Sequence, residues 1–178
     1  MLAYTASERV IGDAAKTQAK RNFKNTLAFP TRFLGLNMQC QAQLELEKRF
    51  TTFKIVPLNN NKIGFEVTQA GNTHSFTVEQ VLAFYLRKLH EFYVKAEAPT
   101  KDIVVTIPSY CSNTERQALV DAAEIGGFKC LRVINESTAI CYNYGFFRKN
   151  DLPVEEERVV AFVDMGHSKT TITIAGFK

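Results

Sequence analysis

The sequence predicts a mixed α/β protein, and three observations carry that prediction. Residues 103–145 run strand, helix, strand, helix in a single stretch. Residues 50–76 hold three short alternating runs parted by two turns, the pattern of an antiparallel meander. From Val78 onward, apolar side chains recur at i, i+3, i+4, i+7 and i+8, the stripe of a helix packed on one face. At 178 residues the chain is long enough for roughly one domain with a true core.

Taken in order, Met1-Leu2-Ala3-Tyr4 has neither the basic nor the long apolar region of a secretory leader. Residues 8–22 carry a short polar helix pattern in which Ala14, Ala15 and Ala19 are small enough for close packing. Residues 25–35 contain Pro30 and read as a turn leading into a short helical piece, and residues 41–49 read as a helix with Leu44 as its apolar position. The meander follows. Phe53, Ile55 and Leu58 alternate through its first run, Asn59-Asn60-Asn61 turns, residues 63–67 alternate again, Ala70-Gly71-Asn72 turns, and His74 to Phe76 begins the third strand. Thr77 with Gln80 three residues later has capping-box form. The helix it opens has the stripe Val78, Val81, Leu82, Tyr85, Leu86, Leu89, Phe92, Tyr93 and Ala96 and is expected to pack as a core helix beside the meander.

In the central stretch, Ile103 to Ile107 is apolar and β-branched, and Pro108 stops it. Ser112-Asn113-Thr114-Glu115 can satisfy free N–H groups at a helix start, Leu119, Ala122, Ala123 and Gly126 share one face, and Gly126-Gly127 ends the helix. Leu131 to Ile134 reads as the next strand, followed by a helix with Gly145 as its cap. Residues 150–158 are polar with Pro153 and read as a connection whose Glu155-Glu156-Glu157 run faces solvent. Residues 159–163 and 170–174 form a hairpin around a turn at 164–169, and a lone hairpin is marginal in water, so it must dock or belong to something larger.

Composition narrows the function. The net charge of +4 is mild and Lys and Arg are interspersed with acids, so no basic stripe points to nucleic acid. No apolar run reaches membrane-spanning length. Cys40, Cys111, Cys130 and Cys141 lack metal-ligand spacing and read as reduced thiols. Neither Ser109 nor Cys111 stands in a nucleophile pattern, His74 and His90 read as surface or half-buried residues, and the Asn135-Glu136-Ser137 acceptor pattern matters only in a secreted chain.

The chemistry is concentrated in Asp164-Met165-Gly166-His167-Ser168-Lys169-Thr170. An acid at a strand end followed by a tight turn can aim backbone N–H groups at phosphate and hold a magnesium ion through water; an ordinary hairpin turn is the other reading. It is not a Walker loop, because Ser168 stands where a glycine must precede the lysine. Glu136 sits at a strand-to-helix junction, where a helix start favours an acid for capping alone.

The run IPSYCSNTERQALVDAAEIGGFKCLRVINESTAICYNYG resembles the central part of the ATPase domain of Hsp70-type chaperones, and most of all its Hsp110 branch, whose members act as exchange factors for Hsp70. ERVIGDAAKTQAKRNFKNT at 8–26 and VVAFVDMGHSKTTITIAGF at 159–177 support the resemblance, which is weakest at 37–77. It implies an actin-like (ribonuclease H-like) fold: residues 1–157 as lobe I, with an α+β subdomain at about 37–99, and residues 158–178 as the first hairpin of lobe II. It implies ATP or ADP with magnesium, Asp164, Gly166, His167, Ser168, Lys169 and Arg32 at the nucleotide, Glu136 and Asp164 around the metal and the reacting water, and Pro108 and Arg116 as an interlobe relay.

Two departures bear on activity. Hsp70 chaperones carry lysine-arginine where this chain has Thr31-Arg32, and threonine cannot supply the cation that stabilises phosphoryl transfer. Lys169 replaces a family threonine in the phosphate hairpin. Family members begin with a phosphate-loop hairpin that lobe I is expected to lack in this chain, so the chain alone is expected to bind nucleotide weakly and, with an uncovered strand edge beside 103–107, to be poorly soluble. The implied role is exchange on an Hsp70 partner, with unfolded clients bound through C-terminal regions, in cytoplasm or nucleus. An ordinary Hsp70-type ATPase with a divergent site, and a truncated product without nucleotide, are the alternatives.

Overall fold

A computed structural model describes residues 1–95, 100–153, 155–166 and 169–178. They form two compact units, Met1–Ile103 with Ser112–Leu131, and Val104–Cys111 with Arg132–Lys178.

The first unit opens with a small antiparallel sheet. Strand β1 (Leu2–Tyr4) lies between β2 (Arg9–Ile11) and β3 (Thr26–Leu27), with Leu2 opposite both Ile11 and Leu27. Leu2, Ala3, Tyr4 and Leu27 are buried, and Ala15 of the short helix α1 (Asp13–Gln18) joins them. The expected helix over 8–22 is therefore wrong at its start: Arg9-Val10-Ile11 is a strand, because two β-branched residues find a partner in β1. Gly12, at φ +66°, then turns the chain into α1, a conformation glycine adopts without penalty.

Helix α2 (Gln41–Lys48) buries Leu44 and Glu47. The meander is β4 (Lys54–Pro57), β5 (Ile63–Gln69) and β6 (Asn72–Thr77), antiparallel throughout, with Phe65 opposite Ile55 on one side and Phe76 on the other. Asn60, Asn61, Ala70 and Gly71 take positive φ in its two turns. Phe33, Phe53 and Phe65 meet edge to face at 5.1–5.9 Å between centroids, which anchors this core.

Thr77 and Gln80 cap helix α3 (Val78–Lys95) reciprocally: Gln80 N–H donates to Thr77 Oγ1 at 3.2 Å and Thr77 N–H to Gln80 Oε1 at 2.9 Å. Its predicted stripe is buried only in the first turns, at Val78, Val81, Leu82 and also Ala83. Phe92 and Tyr93 are 54% and 52% exposed, so the stripe does not continue as core, and Ala96 lies outside the described residues. Helix α4 (Asn113–Ile125) packs on α3 through Ala118, Leu119, Ala122 and Ala123. Its capping box is formed, Ser112 Oγ accepting from Glu115 N–H while Ser112 N–H donates to the Glu115 carboxylate at 2.7 Å.

Strands β7 (Asp102–Ile107) and β8 (Lys129–Asn135) pair, and the division between units falls inside both. The second unit holds α5 (Glu136–Arg148) and the hairpin β9 (Arg158–Met165) and β10 (Thr170–Phe177), whose ladder runs unbroken from Arg158–Phe177 to Met165–Thr170. Both hairpin strands are longer than predicted: β9 takes in Arg158, Asp164 and Met165, and β10 continues through Ala175, Gly176 and Phe177. Tyr144 packs on Phe162 and Phe177 at 5.4 and 5.0 Å and fixes α5 to the hairpin. Gly145 is not a cap: the helix continues to Arg148, and a Cβ at 145 would touch the Phe177 ring at 3.4 Å. That is ordinary contact, so the structure shows neither a left-handed turn nor a clash that requires glycine there.

Candidate functional site

Two segments of the second unit meet at one ion pair. Glu136 is the first residue of α5, entered from Asn135 in extended conformation at the N-cap position. Lys169 is the last residue of the turn before β10. Its Nζ donates to Glu136 Oε2, with about a third of each side chain left exposed (27% for Lys169, 35% for Glu136). The same ammonium stands 5.6 Å from the centroid of the Tyr110 ring, within reach of its negative face. Gly166 N–H donates to the Lys169 carbonyl at 2.9 Å and closes the turn that presents the lysine. Asp164 is exposed on β9, opposite Thr171. His167 and Ser168 lie outside the described residues.

Chemically, this is a helix start with a carboxylate and an ammonium in contact. The free N–H groups of a first helical turn favour anions. The lysine offers further N–H donors beyond the one spent on Glu136. Such a corner can receive an anion at the ammonium, or a hydrated cation at the carboxylate.

The remaining predicted residues are divided between the two units. Thr31 and Arg32 lie in the single-turn helix Pro30–Phe33 of the first unit. Arg32 Nη2 donates to Glu47 Oε1 at 2.7 Å, and Glu47 is only 6% exposed with its second oxygen, Oε2, buried and unsatisfied. That guanidinium is thus engaged in a structural pair. Arg116 is half-buried on α4 in the first unit, and Pro108 ends β7 in the second. Sequence reasoning gives no sign of Tyr110 or Glu47. An aromatic residue in a loop and a glutamate in a polar helix carry no motif, and each acquires its partner only through tertiary packing.

A cleft of about 640 Å³ in the first unit is lined by residues such as Tyr4, Arg9, His74, Phe76, Phe84 and Arg87, none of them a predicted site residue. Arg9 stacks over the Phe84 ring at 4.2 Å there. No disulfide joins Cys40, Cys111, Cys130 or Cys141, and among the described residues no three His, Cys, Asp or Glu gather as a metal cluster. No helix among the described residues is long and apolar enough to cross a membrane.

The sequence matches the family model described as Hsp70 protein over residues 1–178. It is 34% identical over its whole length to a heat shock protein homolog of Saccharomyces cerevisiae, of which it covers 26%. It is 36% identical over 99% of its length to the 97 kDa heat shock protein of Strongylocentrotus purpuratus, covering 20% of that protein. It is 38% identical over 99% of its length to the human heat shock 70 kDa protein 4, covering 21% of it. The chain thus spans about a fifth to a quarter of the length of the curated relatives it matches.

Proposed function

The chain belongs to the Hsp70 superfamily, on its Hsp110-like branch, and on that premise we propose that it is part of an ATP- and ADP-binding chaperone that promotes nucleotide exchange on an Hsp70 partner. The parent would bind unfolded clients through regions beyond these residues and would work in cytoplasm and nucleus. In this reading residues 1–157 serve as lobe I, with 37–99 as its α+β subdomain, and residues 158–178 open lobe II.

The observation that carries the reading is the Glu136–Lys169 pair. It joins the hairpin turn and the start of α5, the two segments that the family resemblance assigns to the phosphate side of the nucleotide. Gly166, His167, Ser168 and Lys169 would face phosphate. Pro108 and Arg116 would relay nucleotide state between the lobes. Magnesium, which the family implies, would meet Asp164 and Glu136 through water, the latter a carboxylate that Lys169 also holds. Both are hard oxygen donors suited to that ion, and magnesium usually keeps several of its waters. It would neutralise phosphate charge when bound.

Binding without fast hydrolysis suits these residues. Thr31 carries no charge, and Arg32 is spent on the buried Glu47. The preorganised cation that phosphoryl transfer needs is missing at that position.

Two measurements on the full-length parent test this. Release of a fluorescent ADP from an Hsp70 partner should accelerate when the parent is added. Single-turnover ATP hydrolysis should be slow and should rise by at least about tenfold in Thr31→Lys. Fast hydrolysis with Thr31 in place, and no effect on ADP release, would reject exchange in favour of an ordinary ATPase.

A further inference from the structure

Glu136 has one carboxylate and two cations with a claim on it. A divalent metal would use its oxygen through water, yet Oε2 already accepts from the Lys169 ammonium. The ammonium is held from two sides, by that carboxylate and by the face of Tyr110 at 5.6 Å. The pair is part-sheltered, so solvent does not fully screen it. A compact ammonium has three donors and can bridge a carboxylate and a phosphate oxygen at once. A metal arriving at the same carboxylate would meet a like charge already seated.

We propose that Lys169 stands in for the divalent metal at Glu136. In the empty site it competes with metal for the carboxylate. In the loaded site its ammonium supplies the positive charge that nucleotide phosphates require, so ADP binds with little dependence on magnesium. The competition rests on the geometry of the pair alone; the loaded half rests on the nucleotide reading above.

The first experiment uses no nucleotide. The 178-residue chain is titrated with Mn²⁺, and free metal is read by electron paramagnetic resonance. Lys169→Thr should bind Mn²⁺ at least about fivefold tighter than the wild type. Lys169→Arg, which keeps the charge, should match the wild type, and the double variant Lys169→Thr/Glu136→Gln should lose the gain. Equal Mn²⁺ affinity in wild type and Lys169→Thr, with both shown folded by circular dichroism, overturns the competition. The second experiment is an ADP titration in the full-length parent with Mg²⁺ or with chelator. Removing Mg²⁺ should weaken ADP binding by less than about threefold in the wild type and by more than about tenfold in Lys169→Thr. Equal large losses in both overturn the substitution of lysine for metal. Absence of ADP binding in every condition overturns the loaded half together with the nucleotide reading, while a persisting Mn²⁺ difference leaves the competition standing.

Discussion

Replacing Arg32 with methionine keeps the aliphatic stem and removes the guanidinium that faces Glu47. Glu47 is 6% exposed and has no second partner, since its Oε2 is already buried without a hydrogen bond. Removing one member of a fully buried ion pair costs about 3–5 kcal/mol, because the other charge is left stranded. Here the Arg32 side chain is 41% exposed and water screens the pair from one side, which brings the expected loss to about 1–3 kcal/mol. With a urea slope of about 2 kcal/mol/M, the unfolding midpoint should fall by roughly 0.5–1.5 M. Urea titration at neutral pH, followed by far-ultraviolet circular dichroism, measures it. The double variant Arg32→Met/Glu47→Leu should recover most of the loss, because no charge is then stranded. An unchanged midpoint in Arg32→Met, or a double variant less stable than the single, would refute the reasoning.

Three further outcomes follow from the packing. Phe65→Ala empties the centre of the three-ring cluster, where Phe65 is fully buried, and should cost about 3–5 kcal/mol, enough to abolish a cooperative thermal transition in a marginal domain. Tyr4→Phe should be neutral or stabilise by up to about 1 kcal/mol in the same assay, since the buried hydroxyl makes no well-formed hydrogen bond, and burial pushes its titration upward more than the charge and polar contact of Arg9 pull it down. For Glu79, burial alone would raise the carboxyl, but hydrogen bonds from Thr77 and the backbone, with the charge of Lys62, outweigh it and hold it below the ordinary glutamate value. A depressed folded value means that its contribution is complete above the ordinary value of about 4.3 and is lost as pH falls below that and through the folded value. Unfolding midpoints measured from pH 6 downward should therefore drop less steeply in Lys62→Met than in the wild type, and identical slopes would count against the assignment.

Much of the fold was legible because local chemistry and tertiary packing agree. The Thr77–Gln80 and Ser112–Glu115 caps, the Asn60-Asn61 and Ala70-Gly71 turns and the Gly126 stop are all decided within a few residues. Where a distant partner decides, the sequence was silent or misleading. Arg9–Ile11 is a strand because β1 lies beside it, and α5 runs on through Gly145 to Arg148. The far half of α3 has the periodicity of a core helix but emerges into solvent at Phe92 and Tyr93, since periodicity states that a face is apolar and not that anything covers it. At the candidate site the turn at 164–170 stood out by residue type, while Glu136 was drawn to it only by the family resemblance. That Lys169 closes on Glu136, and that Tyr110 lies under it, depends on how α5 and the hairpin dock.

The first unit is assembled from two pieces of chain, Met1–Ile103 and Ser112–Leu131. Helix α4 comes from the second piece, and it covers the buried face of α3 so closely that a Cβ on Gly126 would stand 3.3 Å from the Ala83 carbonyl. On a ribosome the first piece must therefore wait, with Leu82 and Ala83 uncovered, until residue 131 has cleared the exit tunnel. At about 5–20 residues per second that delay lasts a few seconds. Nascent chains stalled before and after α4 emerges should differ sharply in protease resistance.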